Sequence, residues 1–261
     1  MRVVAVLLLL LVSATPASAA TGTYLRVGHL SPENARVDIT ITASANPGSP
    51  VRIPNVEYGY LQDYHRIDPG SYAVTIRPAG ADPSSAPTSS ATLQAADGKA
   101  YTVVDLDKSG KVLEDDLSLP PAGLARVRVV DAAPKATELD LVRDGTALVR
   151  GATYGSATAY STVAANTKSM QVVPRGTDPA GVDGTIEPGG IYTVIVVERD
   201  GKLSTELRRD AKSADVPPSG SQETGFGGMA PGGPGLDWPM VWVLLACVVT
   251  AFVLLRKPRS T

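Results

Sequence analysis

Cysteine is nearly absent. The 261 residues hold one, Cys247, so no intrachain disulfide can form and the domains must hold by packing alone. Cys247 lies in an apolar run, where it reads as an inert filler. Tryptophan and phenylalanine are missing from residues 23–210, which leaves tyrosine as the only aromatic type there. That removes the Trp platforms on which sugar-binding modules usually stack a glycan. Histidine occurs twice, at His29 and His65, and neither a His-x-His nor a Cys-rich spacing suggests a metal centre. A basic face is lacking too. Of 24 Lys and Arg, Arg2, Arg256, Lys257 and Arg259 sit at the ends, and of 26 Asp and Glu, Asp237 does; the body is left with 20 against 25. A mildly acidic body argues against a nucleic-acid partner. Finally, no window in 20–210 has a helical period.

The ends do contain long apolar runs. MRVVAVLLLLLVSATPASAA has a positive start, an apolar stretch from Val3 to Val12 and a small-residue site at Ala17-Ser18-Ala19. It reads as a signal peptide, residues 1–19, cleaved after Ala19. Residues 236–255, LDWPMVWVLLACVVTAFVLL, have the length of a membrane helix. Trp238 and Trp242 stand at its outer edge, and a basic tail, 256–261, follows. This places the tail in the cytoplasm and the body outside. Between body and helix, residues 211–235 are Gly- and Pro-rich and read as a flexible tether. Glu223-Thr224-Gly225, the apolar run and the basic tail also follow the layout of a sortase signal, but Ser221-Gln222 stand where Leu-Pro is usual. Membrane anchoring is therefore the expectation, with wall attachment the alternative.

The body repeats itself. YGYLQDY begins at Tyr58 and YGSATAY at Tyr154; RVGHLSPENARVDI begins at Arg26 and RVVDAAPKATELDL at Arg128. R77-P-A-G80 answers V173-P-R-G176, and AYTVVDLDKSGKV answers IYTVIVVERDGKL. Four blocks in one order mean a duplication, with length changes confined to the loops between blocks. Alternating runs rich in Val, Ile, Thr and Tyr, split by Pro, Gly, Asn and Asp, predict about seven short strands per repeat. The expected fold is all-β: two tandem antiparallel β-sandwich (Ig-like) domains, residues 23–119 and 123–210. Ser109-Gly110 and Asp200-Gly201 read as hairpin turns. Gly59 and Gly155 read as bends after Tyr58 and Tyr154, and Pro69-Gly70 as a turn whose counterpart is Asn166.

R26-V-G-H-L-S-P32, V37-D38, Y58-G59, D68-P-G-S-Y72 and R77-P-A-G80 resemble the bacterial domain-of-unknown-function family 4397. The resemblance covers about residues 24–210. It implies a secreted or surface β-sandwich protein of a kind often tandem and common in actinobacteria, and it implies no activity. The second repeat departs from His-x-Ser-Pro: Asp131 replaces the His and Ala133 the Ser.

Three constellations could carry chemistry. His29 and Ser31 share a strand face, as a nucleophile and its base would, but they lead into Pro32, and Ser31 reads as a turn cap. Asp105, Asp107, Ser109, Gly110 and Asp116 match positions 1, 3, 5, 6 and 12 of a calcium loop, yet a strand precedes them and a plain hairpin is the simpler reading. Tyr58, Tyr64, Tyr154 and Tyr160 are either packed, with hydroxyls bonded to nearby backbone, or an exposed set that contacts a ligand. No cofactor is implied. The expectation is a non-enzymatic, membrane-anchored surface protein of binding, adhesion or envelope-spacer type, contacting an extracellular protein or wall component. A calcium-supported, sortase-attached adhesin and a wall-acting hydrolase are the alternatives.

Overall fold

The computed structural model describes residues 22–106, 109–176 and 178–212, all within one compact unit. The predicted signal peptide, tether, membrane span and basic tail lie outside the described residues, among which no helix is long and apolar enough to cross a membrane.

Each repeat folds as nine strands. The first contains β1 (Thr23–His29), β2 (Arg36–Ala43), β3 (Val51–Glu57), β4 (Tyr60–Leu61), β5 (His65–Ile67), β6 (Gly70–Pro78), β7 (Ser89–Ala95), β8 (Ala100–Leu106) and β9 (Ser109–Asp115). The second contains β10 (Leu124–Ala132), β11 (Leu139–Arg143), β12 (Thr146–Ala152), β13 (Ser156–Ala157), β14 (Ser161–Ala164), β15 (Met170–Pro174), β16 (Ala180–Val182), β17 (Ile191–Arg199) and β18 (Lys202–Ala211). In the first repeat β4 and β5 both pair with β1, which continues to β8 and β9, over a second sheet ordered β3-β2-β6-β7. In the second, β13 and β14 pair with β10, which continues to β17 and β18, over β12-β11-β15-β16.

The sandwich is therefore as expected, with one correction to its antiparallel character. β1 runs parallel to β8, and β10 parallel to β17. These strands are not neighbours in the chain, and a parallel pair needs a long crossover between its members; here the crossover is the rest of the domain. The apolar continuity of AYTVVDL and IYTVIVVER follows from their place. All seven residues of β8 are buried, as are the first seven of β17. Strands covered on both faces lose the polar alternation of a half-exposed strand.

One face of each central pair fills its own sandwich. Leu25, Val27, Tyr101 and Val103 meet Ile39, Val74, Ile76 and Leu93 in the first core. Val127, Val129, Val194 and Val196 meet Leu141, Met170 and Val172 in the second. The opposite faces cover each other: Leu30, Leu61, Val104 and Leu106 pack with Val130, Ala132, Ile195 and Val197 in a third cluster that belongs to both repeats. The two sandwiches are joined through a shared core.

Turn chemistry is met in part. Gly59 and Gly155 bend at φ 87 and 75, Asn166 takes φ 58, and Asp200-Gly201 turns at φ 50 and 73, both positive as a two-residue hairpin turn requires. Ser109 and Gly110 do not form the preceding hairpin's turn. They are the first residues of β9, paired with Leu106 and Asp105.

Candidate functional site

A network of buried polar side chains lies at the joint between the repeats. Arg26 and Arg128 point from the middles of β1 and β10 into the shared interface, each 2% exposed. Arg26 Nη1 donates to Asp210 Oδ1 of the second repeat at 2.7 Å. Arg128 Nη2 approaches Asp115 Oδ1 of the first repeat at 2.6 Å, off the hydrogen-bond direction. The ion pairs thus cross. Each carboxylate is also held within its own repeat: Asp115 Oδ2 accepts from the Tyr64 hydroxyl at 2.6 Å and from Thr102, and Asp210 Oδ2 accepts from Tyr160 at 2.7 Å and Thr193 at 2.6 Å. Arg26 Nε donates to Thr102 and Arg128 Nε to Thr193. Each guanidinium lies over its own repeat's tyrosine, 4.3 Å above Tyr64 and 4.6 Å above Tyr160.

This is the arrangement of an isologous interface, in which contact i-to-j is returned as j-to-i. Burial opposes the charge on Arg26, but Asp210, Tyr64 and Asp115 outweigh it and hold the guanidinium more firmly protonated than usual. Burial raises the hydroxyls of Tyr64 and Tyr160 well above their ordinary value, reinforced by the carboxylates and opposed by the arginines. All the donors keep their protons near neutrality.

The tyrosine pattern takes its meaning from this joint. Tyr64, 1% exposed, has no open face for a ligand, and its hydroxyl bonds a carboxylate rather than nearby backbone. Tyr58 lies across the interface: its hydroxyl donates to Ala132 O at 3.1 Å and accepts from Glu198 N at 3.2 Å. Tyr160 stands between Arg126 and Arg128, and Tyr154 is half-buried and partnered. The four residues are not gathered into a stacking surface.

The V-D motif also has a structural use. Asp38 lies at a register shift between β2 and β3, and its oxygens accept from Asn55 N at 2.9 Å and Gly80 N at 2.9 Å. Asp140 lies at the matching shift between β11 and β12 and accepts from Gly151 N at 2.8 Å. Asn55 and Gly151 take φ 56 and 67, so each Asp pins a bulge.

His29 is fully buried at the end of β1. Nε2 donates to Asn34 O at 2.7 Å, and Nδ1 shares a hydrogen bond of 2.7 Å with Asp105 Oδ2. A carbonyl oxygen only accepts, so neither nitrogen is left to take a proton from Ser31, and the hydrolase arrangement does not form. Asp105 Oδ1 accepts from Leu30 N at 2.8 Å. Asp105 and Asp116 of the calcium-loop candidate are not brought together. Asp105 sits near the tip of the β8–β9 hairpin, whereas Asp116 follows its far end and binds Arg126 and Ser118. The Arg126 hydrogen bond holds the Asp116 carboxyl far below the usual carboxylate range. Asp107 lies outside the described residues, among which no group of three His, Cys, Asp or Glu could hold a metal.

A groove of about 780 Å³ opens on the flank of the second sandwich, between the edge strands β16 and β18, with Lys135, Asp183, Glu198, Lys202 and Thr205 among its lining. The alternation of the strands carried no sign of it, because it depends on the length of one hairpin.

The frame defines a tandem β-sandwich protein with a buried, two-fold-like joint. The family described as "Domain of unknown function (DUF4397)" matches residues 23–142 and 125–238, and the chain belongs to that family. No curated protein matches it. Similar solved structures include the family 26 carbohydrate-binding module of Eubacterium rectale Amy13K in complex with maltoheptaose, at 12% identity and TM-score 0.24, covering 73% of this chain and 99% of that one. A protein from Bacteroides uniformis described as a "putative cell adhesion protein" aligns at 9% identity and TM-score 0.25, covering 74% and 99%. The tip fimbrial protein Mfa3 of Porphyromonas gingivalis aligns at 10% and 0.24, covering 72% and 98%. At this level of similarity no ligand or partner transfers.

Proposed function

We propose that the protein is a non-catalytic surface protein of binding, adhesion or envelope-spacer type, exported and held to the membrane by residues 236–255, with its body outside. Its partner is an extracellular protein or a wall component. The observation that supports this reading is a division of labour. The polar residues repeated in both halves are built into the joint and the bulges, so the repeat exists to make one rigid body. The open groove on the second repeat and the loops at the sandwich ends are what that body presents. The test is crosslinking on intact cells carrying the full chain, with purified wall in parallel. A saturable partner lost on altering Lys202 and Asp183 supports binding at the groove. No enrichment over an unrelated sandwich protein leaves the spacer reading and removes the binding one.

A further inference from the structure

One end of the joint carries two buried titratable groups at equivalent positions. His29 stands opposite Asp105 across the parallel pair of the first repeat; Asp131 stands opposite Val196 in the second. The corner glycine of each repeat donates to the backbone of that residue, Gly59 N to His29 O and Gly155 N to Asp131 O. The two positions are linked by Tyr58. Its ring meets the His29 imidazole edge-on, centroids 6.1 Å apart, and its hydroxyl bonds Ala132 O, the residue after Asp131, together with Glu198 N.

The two groups differ in how the fold satisfies them. The two ring nitrogens of His29 are engaged by the Asp105 carboxylate and the Asn34 carbonyl, and the ring so staples the β1–β2 loop to β8. Asp131 is 0% exposed. Its Oδ1 accepts from Ala133 N at 2.9 Å, while its Oδ2 is buried without a hydrogen-bond partner. Burial pushes its carboxyl up to about 6, with the Ala133 N–H opposing. The other charged or titratable groups at this end are Asp105 on β8, Tyr58 and the partnered Glu33 on the first repeat, and the Lys135–Glu198 pair, Arg199 and the partnered Tyr154 on the second. None is in hydrogen-bond contact with the Asp131 carboxyl.

We propose that this end of the joint is a proton-operated clamp worked by Asp131: acid tightens the contact between the repeats beside Tyr58, and alkali loosens it. For Asp131 the folded value lies above the unfolded one. Its contribution is therefore full below the unfolded value of 3.8 and is lost as pH rises through about 6.

The test uses the full chain in detergent, melted at about pH 5 and about pH 8. Wild type should melt about 4 °C lower at the higher pH. Asp131→Asn, isosteric and uncharged, should recover most of that loss. An Asp131→Asn protein with the wild-type pH slope overturns the proposal. If the variant fails to fold, the unmutated chain still decides: the Asp131 carboxyl carbon should titrate well above an ordinary Asp, and the Glu198 amide should exchange faster, after correction for intrinsic rate, as it does so. Glu198 exchange that ignores the Asp131 titration overturns the clamp. Tyr58→Phe should keep the titration and uncouple Glu198 from it.

Discussion

In the first repeat the flank between the outer strands is shut; in the second it is open. Gly110 on β9 lies so close to β7 that a Cβ there would come within 2.2 Å of Ser90 O. By register Thr205 takes the same place on β18, since Gly110 pairs with Asp105 and Thr205 with Val196. Thr205 stands off from β16 and reaches it through a side-chain bond, Oγ1 to Gly181 O at 2.6 Å. The β17–β18 ladder then runs past the equivalent of Leu106–Ser109 by two further pairs, Glu198–Leu203 and Arg199–Lys202, of which Glu198, Leu203 and Lys202 line the groove. The copies thus agree in the residues that join them, Arg, Asp, Thr and Tyr, and differ at the edges that face outward. Duplication kept the frame and freed one flank to become a surface.

Six substitutions sharpen that contrast. The largest effects belong to the joint. Asp210→Ala should cost about 3–5 kcal/mol by leaving Arg26 buried without its partner, and Asp115→Ala should cost about as much. In a double-mutant cycle, Arg26→Ala with Asp210→Ala should cost clearly less than the sum of the single changes; additive losses in chemical denaturation would contradict the crossed pairing. Next, Gly110→Ala should destabilise by about 2 kcal/mol, because the colliding atom is backbone and cannot swing away. Its counterpart Thr205→Ala, losing one hydrogen bond, should cost about 1 kcal/mol. Equal losses would mean the two flanks are built alike. The smallest effect is expected at the exposed Arg36–Glu57 pair, where Arg36→Ala should shift stability by less than about 0.5 kcal/mol.

Much of this frame could be read from the chain. Val, Ile and Thr alternation gave the strands, the repeated blocks gave two copies, and Gly59, Gly155 and Asn166 gave three bends. The parallel pairing could not be read that way, because alternation describes one strand and its faces and says nothing of which distant strand lies beside it. The joint was hidden for a related reason. Arg26 and Arg128 look like markers of a repeat until one asks why a cation should stand mid-strand among Leu25, Val27, Val127 and Val129, all buried. A lone Arg in an apolar strand needs a buried acid, and Asp115 and Asp210 at the ends of the last strands of each copy were the matching signal. Their crossing is a three-dimensional fact: either Asp would have served a sandwich standing alone. The flank groove escaped notice because it depends on two extra residue pairs in a single hairpin.

The Arg26–Asp210 contact spans 184 residues, tying the first strand of the body to the last. A chain made from its N-terminus completes the first sandwich while Arg26 and Asp115 still lack the partners that the second will supply. Until β10 and β17 are both in place, the apolar face of Leu30, Leu61, Val104 and Leu106 is not fully covered. Such non-local closure is slow and exposes sticky surface in the meantime. A chain truncated anywhere before Asp210 is thus a half-built joint, vulnerable to pairing with a neighbour in the same condition.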